Sequence, residues 1–347
     1  MDKALKKTNK GSASGPVKQD LRLAVLENEG IRLTLCNFGA SVYALEYKYP
    51  DGHSQHIALG SDTPELFSKN PYYYGATVGR VANRIKDAEL PLGNRVFMLS
   101  RNEGNNHIHG GFRGLSGRIW DMEKSGDSVL FTVFSPDGDE GYPGNLNVSV
   151  RYTLNNDEIL IEFMAGSDSD TAFSPTNHTY WCLGGPGSKI DNEILCLAAG
   201  KCIEVDKEKI PTGRIVEAED TPFDFRSPVR IGDQMYAEHP HLKANGGYDI
   251  CYVLDPDLNG PAGSVEDPES GLRLEVESSF PGIQLYTGNC LDDRTGRDGI
   301  AFGPHSALCL ECCAFPDTVH HKDFGSVLLK GGEVRKDHIR YRIQYNK

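Results

Sequence analysis

Long apolar segments are missing from this sequence of 347 residues. No run approaches the roughly 18 apolar residues that a membrane-spanning helix needs. The first 20 residues are rich in Lys, Ser and Gly and also lack the apolar core of a secretory signal. We therefore expect a cytoplasmic protein without membrane contacts, in which residues 1–20 form a flexible tail.

An excess of positive charge is missing as well. Asp and Glu number 49 against 36 Lys and Arg, which gives a formal net charge of -13 at pH 7. The basic residues form no long stripe, so the chain offers no continuous positive surface to a phosphate backbone. Nucleic acids and anionic membranes are therefore not expected as partners.

Paired cysteine motifs are scarce, although the chain has nine cysteines. The cluster of Cys309, Cys312 and Cys313 contains one Cys-x-x-Cys motif, without the second pair that a typical zinc site needs. An odd cysteine count, in a chain long enough to bury a large core, favours reduced thiols over disulfides. The sequence therefore predicts free and mostly buried cysteines.

Helical periodicity is hard to find, because no window of about eleven residues repeats its apolar positions at the helical spacing. From Leu21 onward, short segments with apolar residues two apart alternate with turns rich in Gly, Pro, Asn and Asp. Examples are "IRLTLCNFG", "NVSVRYTLNN", "DEILIEFMAG" and "LRLEVESSF". We predict one all-β domain over residues 21–347, built from two packed sheets.

Five islands carry more polar side chains than turns require. They are "GRVANRI" (79–85), "NNHIHGG" (105–111), "SPTNHTYW" (174–181), "GGYDI" (246–250) and "LCLECCAFPD" (308–317). A core needs none of these side chains, so we expect the functional residues among them.

The island "SPTNHTYW" has the pattern of a strand with polar groups on both faces. A period of two places Thr176, His178 and Tyr180 on one face of that strand. Because both faces carry polar groups, neither is a plain apolar core face. The same reasoning places His107 and His109 on one face of "NNHIHGG", although one surface and one core histidine would also fit.

Glu311 is the most informative acidic residue. Its neighbours on the same strand face are Cys309 and Cys313, and Leu310 precedes it in sequence. Apolar surroundings disfavour the ionised carboxylate and raise its pKa, which suits a general base near neutral pH. The alternative is a structural ion pair, for which Arg84 is a candidate partner.

The residue types of these islands could also form a metal site, since His and carboxylates are good zinc or manganese ligands. No pair has the helical spacing of known zinc motifs, and Arg84 would repel a cation. Acid–base catalysis on a neutral ligand rich in hydroxyl groups fits better. We therefore expect no metal and no cofactor. Tyr180 and Trp181 could stack on a sugar face or belong to the core.

Taken together, and in this order, the islands resemble the galactose mutarotase (aldose 1-epimerase) family. The resemblance runs from about residue 37 to residue 317. The matching segments are "GATVGRVANRI", "HIHGG", "SPDGDEGYPGNL", "SPTNHTYW", "VDKEKIPTG", "TPFDFR", "GGYD", "PGIQLYTGN" and "LCLECCAFPD". Several motifs occurring together are more specific than any one of them. The resemblance implies a large antiparallel β-sandwich.

It also implies a role for each matching residue. Glu311 would be the general base on the anomeric hydroxyl, and His178 the general acid on the ring oxygen. Tyr180 would line the same cleft. The positions that would bind sugar hydroxyls are Asn83, Arg84, His109, Asp249 and Gln284.

The implied activity is the interconversion of α and β anomers of free hexoses such as D-galactose and D-glucose. Two alternatives stay open at this point. One is a catalytically silent sugar-binding or regulatory protein with the same fold, because fold does not fix function. The other is a hexose-6-phosphate mutarotase, which needs a cluster of basic residues, whereas the islands offer mainly Arg80 and Arg84. Sugar preference is open, as is the choice between a monomer and a homodimer.

Overall fold

Residues 21–255, 260–292 and 296–346 are described by the computed structural model of the chain. Strands dominate, and the α-helices are short: Pro64–Phe67, Ile231–Met235 and Pro240–Asn245. Single 3-10 turns span Lys86–Ala88, Leu115–Gly117, Asp139–Gly141, Ile190–Asn192, Arg297–Gly299, Thr318–His320 and Lys322–Phe324. No helix in these ranges is long and apolar enough to cross a membrane. The all-β prediction is confirmed, while the predicted tail, residues 1–20, lies outside the described residues.

The largest sheet has nine antiparallel strands. Their spatial order is Asp121–Ser125, Ser128–Ser135, Leu146–Asn155, Glu158–Ser167, Val334–Tyr345, Leu272–Ser278, Gly263–Asp267, Ile194–Leu197 and Val229–Arg230. The C-terminal strand therefore lies in the middle of the sheet and joins its two halves.

A six-stranded and a four-stranded antiparallel sheet complete the main layers. The six-stranded sheet has the order Tyr180–Trp181, Leu308–Cys313, Gly282–Tyr286, Asp249–Val253, Lys201–Val205 and Pro211–Glu217. The four-stranded sheet has the order Leu23–Glu27, Ile31–Cys36, Ser41–Lys48 and Ser54–His56. Short two-stranded pairs join Thr171–Ala172 to Leu328–Leu329, Thr176–Asn177 to Thr77–Val78, Arg84–Ile85 to His107–Ile108, and Glu89–Leu92 to Arg95–Met98.

One apolar core joins these three sheets. In the strand Glu158–Ser167, Ile161 and Phe163 point inward while Glu162 is exposed, as the alternating sequence predicts. Phe163 belongs to the same buried cluster as Leu33 of the four-stranded sheet and Leu310 of the six-stranded sheet. The sheets therefore pack face to face, and the predicted antiparallel β-sandwich is confirmed.

The strand Leu308–Cys313 is buried on both faces, and this arrangement positions the site. Leu308, Leu310 and Cys312 join the main core between the sheets. The period of two turns Cys309, Glu311 and Cys313 to the opposite face, where Cys309 and Cys313 join separate apolar clusters. A carboxylate is thus held on a rigid central strand, away from the main core.

Candidate active site

Glu311 lies at the centre of the candidate site. Its residue is 4% exposed, and its direct cross-strand partner is Gln284. One carboxylate oxygen, Oε1, lies 3.6 Å from Nε2 of His178. The two side chains predicted to carry protons are therefore adjacent, with their functional atoms facing each other.

His178 does not lie within a continuous strand, so that expectation is wrong. Thr176–Asn177 pairs with Thr77–Val78, whereas Tyr180–Trp181 pairs with Leu308–Cys313 in the six-stranded sheet. Between these segments, the N–H of His178 donates to the carbonyl of Ala76 at 2.9 Å. The backbone therefore pairs with the strand Thr77–Val78 before His178 and with the strand Leu308–Cys313 after it. Its side chain is held at the junction of the two pairs.

The imidazole ring of His178 is fixed by its neighbours. The Tyr73 ring stacks on it with a centroid distance of 5.9 Å, and the Tyr180 ring does so at 5.0 Å. The Sγ atom of Cys309 lies 3.5 Å from Nδ1. Tyr73 and Tyr180 contact the ring, and Cys309 contacts Nδ1. The Nε2 atom faces Glu311.

His109 and Asn83 reach the site through unusual backbone conformations. Both have positive φ values, 53° for His109 and 63° for Asn83, which side-chain-bearing residues rarely adopt. The N–H of Asn83 donates to Nδ1 of His109 at 3.2 Å, and the His109 ring lies 5.4 Å from that of His178. Backbone strain of this kind is concentrated at functional sites.

The left-handed backbone conformation of His109 also turns its side chain away from that of His107. The expectation that these two histidines of "NNHIHGG" share a face is therefore wrong. The strand ends at Ile108, and His109 turns into the site. His107 instead bonds the hydroxyl of Tyr142 at 2.8 Å and the carbonyl of Ser100 at 2.7 Å. His107 is thus a buried histidine with satisfied hydrogen bonds.

Arg84 and Asp249 bring charge to the site. Arg84 makes two hydrogen bonds to Glu103, at 2.7 and 2.8 Å, so its structural partner is Glu103 rather than Glu311. Asp249 accepts a hydrogen bond from Gln284 at 2.7 Å and is paired with Lys209 at 2.8 Å. Burial alone would raise the pKa of Asp249, but Arg84 and Lys209 hold that pKa below its ordinary value.

Burial moves the pKa values of the central pair in opposite directions. Desolvation, together with the negative charge of Asp249, raises the pKa of Glu311 to about 8, while Arg84 opposes that rise. Desolvation lowers the pKa of His178 to about 4, although its backbone and Asp249 act against this. The pair therefore holds one proton between these two values.

One group among the described residues could hold a metal ion. The ligand atoms of His109, His178 and Glu311 all lie within 4.8 Å of one another. Burial, followed by the charges of His178 and Arg84, places the pKa of His109 well below its usual value, so its imidazole is neutral and able to ligate. These atoms include the two that would carry protons, so the metal and acid–base functions compete for the same site.

The predicted residues converge on this site. Asn83 adjoins His109, Gln284 lies opposite Glu311, and Asp249 bonds Gln284. Tyr180 is 3% exposed and stacks on His178. A separate cavity of about 760 Å³, on the outer face of the nine-stranded sheet, is lined by none of these residues.

Among the residues that the structure describes, three that contact the site are not predicted by the sequence. Tyr73 has a φ of 60° and lies in a loop with no sequence pattern that would place it. Glu103 lies in a bridge next to the "NNHIHGG" island. Lys209 belongs to "VDKEKIPTG", a segment that contributes only to the family resemblance. The match of that segment to the family is the sequence feature that could have indicated a role for Lys209.

Comparisons with known proteins identify the family of the chain. A family model described as aldose 1-epimerase matches residues 22–342. Galactose mutarotase from Sus scrofa is 37% identical over 313 residues, covering 89% of this chain and 90% of its own length. Aldose 1-epimerase from Escherichia coli (strain K12) is 32% identical over 321 residues, with 91% and 92% coverage.

Solved structures give the same result. An aldose epimerase homologue from C. elegans superposes with a TM-score of 0.88 at 30% identity, covering 94% of this chain and 100% of that one. Galactose 1-epimerase from Lactobacillus acidophilus NCFM gives a TM-score of 0.84 at 31% identity, with 94% and 95% coverage. The chain therefore belongs to the aldose 1-epimerase family.

Proposed function

We propose that this aldose 1-epimerase interconverts the α and β anomers of free hexoses such as D-galactose and D-glucose, with Glu311 and His178 as its catalytic residues. The observation that carries the proposal is the 3.6 Å approach of two buried groups, one acidic and one basic. Relatives that are named galactose mutarotase support the choice of a hexose as substrate.

The reaction needs only two proton transfers. The carboxylate of Glu311 removes the proton from the C1 hydroxyl while Nε2–H of His178 gives a proton to the ring oxygen. The bond between C1 and the ring oxygen breaks, and C1 becomes an aldehyde. Rotation about C1–C2 presents the other face, and the reverse transfers close the ring as the second anomer. No electron is transferred, so the reaction requires no redox cofactor.

The number of protons on the pair matches this cycle. Ring opening converts ionised Glu311 and protonated His178 into neutral Glu311 and neutral His178, without changing the total number of protons. A pKa of about 8 for Glu311 and of about 4 for His178 means that the neutral pair is the major form between these values, so ring opening starts from the minor, charged form.

The remaining predicted residues are proposed to bind sugar hydroxyls. Gln284 supports this role, because its buried Oε1 atom accepts no hydrogen bond within the described ranges. A sugar hydroxyl would satisfy it. Asn83, Arg84, His109 and Asp249 surround the same pair. Stacking of Tyr180 on His178 supports a role in holding the imidazole, and its contact with sugar stays a prediction.

A phosphorylated hexose is the less favoured substrate. Arg80 is buried and donates to Ser135 and to the carbonyl of Pro143, at distances between 2.9 and 3.0 Å. Arg84 already pairs with Glu103. A phosphate would have to displace existing partners from both arginines, which a neutral hydroxyl does not require. A silent binding role is also less favoured, because the buried side chains of Glu311 and His178 lie close enough together to act as an acid–base pair.

A cytoplasmic location is part of the same proposal. The nine cysteines are free, and seven of them are buried. Free thiols are typical of a reducing compartment. All described residues of the site come from a single chain. The site is therefore compatible with a monomer and with a homodimer.

Polarimetry of freshly dissolved α-D-galactose and α-D-glucose tests the proposal. Wild-type protein should speed the approach to anomeric equilibrium, and Glu311→Gln and His178→Asn should each lower kcat by a factor of about 10² to 10⁴. Glu193→Gln is a matched control, because Glu193 is also a buried glutamate but lies beside Asp267. Circular dichroism checks that all variants fold. Full activity in either catalytic variant would refute the proposal.

A further inference from the structure

Lys209 lies in a tight turn at the edge of the six-stranded sheet, between the strands Lys201–Val205 and Pro211–Glu217. Asp206 fixes this turn, because its Oδ1 accepts hydrogen bonds from the N–H groups of Glu208 at 2.8 Å and Ile210 at 3.1 Å. Lys209 itself has a φ of 63°, a conformation that favours Gly or Asn. A lysine at this strained position therefore calls for an explanation.

The side chain of Lys209 reaches into the site. Its Nζ atom lies 2.8 Å from Oδ2 of Asp249, and the lysine side chain is 28% exposed against 10% for the aspartate. The other carboxylate oxygen of Asp249 accepts from Gln284. The ammonium group therefore stands at the solvent side of the site, with Asp249 between it and the interior.

The turn also contacts the segment that leads to His109. Glu208, the residue before Lys209, accepts a long hydrogen bond of 3.4 Å from the side chain of Asn106. Asn106 immediately precedes the strand His107–Ile108, which leads into His109. The turn that carries Lys209 therefore contacts the site at two places, through Asp249 and through Asn106.

We propose that Lys209 is a specificity-determining residue that binds one sugar hydroxyl together with Asp249. This inference rests on the proposed function. An ammonium group has three N–H donors, and Asp249 uses one of them. A hydroxyl placed beside the pair donates its proton to Oδ2 and accepts an N–H from Nζ. A sugar that lacks this hydroxyl offers neither bond, so the pair discriminates at one carbon of the ring.

A purely structural ion pair is the competing explanation. The same hairpin contains one for comparison, because Lys201 lies 3.4 Å from Glu217 with both side chains more than half exposed. Such exposed pairs add little to stability. Lys209 differs because its partner is a buried site residue that also bonds Gln284, so removing its charge should change sugar binding.

The experiment measures KM and kcat for α-D-galactose with wild type, Lys209→Met, Lys209→Arg and the matched control Lys201→Met. Lys209→Met should raise KM about 10-fold, which corresponds to one charge-assisted hydrogen bond, with kcat changed less than about threefold. Lys209→Arg should restore most of the affinity, and Lys201→Met should behave as wild type. An unchanged KM in Lys209→Met would overturn the inference.

Monodeoxy galactoses, altered in turn at C2, C3, C4 and C6, identify the hydroxyl. One of them should have the same KM with wild type and Lys209→Met, because it lacks the group that the lysine binds. A KM increase of equal size for every deoxy sugar would overturn the inference, since it would indicate a general disturbance of the site. A wild-type protein that is inactive on every sugar would instead refute the proposed function, and the inference with it.

Discussion

The Oε1 atom of Glu311 lies 3.6 Å from Nε2 of His178, and each side chain is only 5% exposed. Burial disfavours charge on both, so it raises one pKa and lowers the other. Two groups this close titrate as a pair rather than as separate residues. The pair therefore has a window of pH in which it carries one proton, and the proposed reaction needs this state.

The pH dependence of activity should be bell-shaped. Below a pH of about 4 both groups are protonated, because this is the pKa of His178, and Glu311 then cannot act as a base. Above a pH of about 8, the pKa of Glu311, both are deprotonated and no acid remains. Mutarotation of α-D-galactose, corrected for the spontaneous rate, gives kcat/KM across this range. Equal activity on both sides of pH 8 would contradict the assignment.

Cys309 should influence the acidic limb of this profile. Burial raises the thiol pKa well above its usual value, so Cys309 stays protonated and neutral. Protonated His178 carries a proton on each ring nitrogen, and Nδ1–H then points at Sγ, a weak acceptor. In Cys309→Ser, the stronger oxygen acceptor should stabilise the imidazolium, raising the pKa of His178 and moving the acidic limb to higher pH.

Cys313→Ser is the control for this effect. Cys313 lies on the same face of the same strand but packs against Val78 and Ala82. Its substitution should leave the acidic limb in place. If both serine variants move the limb equally, the contact between Cys309 and His178 has no specific effect.

The sequence predicts strands and residue types well, because both depend on local patterns. Alternation in "DEILIEFMAG" marks the strand Glu158–Ser167, and the apolar neighbours of Glu311 indicate a buried carboxyl. The family resemblance also assigns one site to residues that lie far apart in sequence, such as Asn83 and Gln284. In the structure Asn83 adjoins His109 and Gln284 lies opposite Glu311, while their roles stay predictions.

Local patterns fail where the chain turns or changes partners. The interruption at His178 arises from pairing with two different strands, and a period of two cannot reveal it. The positive φ of His109 separates it from His107, although the sequence suggests a shared face. The contact of Lys209 with Asp249 depends on a hairpin turn meeting a distant strand, so only coordinates reveal it.

The contribution of two buried glutamates to stability should fall as the pH rises. Burial raises the pKa of Glu311 and of Glu193 to about 8, against an ordinary glutamate value of 4.5. Between these values each of the two residues binds more protons in the folded state than in the unfolded state, so its contribution to the free energy of unfolding decreases with pH. Replacing either residue with Gln should remove up to about 4 kcal/mol of this loss.

Urea denaturation at pH 4.5 and pH 8.5 measures this effect for wild type, Glu311→Gln and Glu193→Gln. Both variants should be more stable than wild type at the higher pH, and only Glu311→Gln should lose activity. The comparison separates the cost of burying a carboxyl from its use in catalysis. A wild-type protein and a Glu311→Gln variant with the same pH dependence would show that Glu311 is not desolvated.

Chelation should leave the activity unchanged. A metal ion bound by His109, His178 and Glu311 would occupy Nε2 or the carboxylate and so block the proton transfers. The positive charge of Arg84, which favours ionised Glu311, also opposes a cation there. We therefore expect full activity in excess EDTA, whereas loss of activity that zinc or manganese restores would make the metal essential.

Added zinc should inhibit the enzyme, because its ligands would be the proton carriers themselves. The His109→Asn variant should be less sensitive to zinc, since it lacks one of the three ligands while keeping Glu311 and His178. The measurement is the zinc concentration that halves the rate, compared between wild type and this variant. Equal sensitivity would mean that zinc acts elsewhere, so that the three residues bind no ion. Weaker inhibition of the His109→Asn variant would mean that zinc binds to His109, His178 and Glu311. The same cluster would then bind either a metal ion or the proton that catalysis requires.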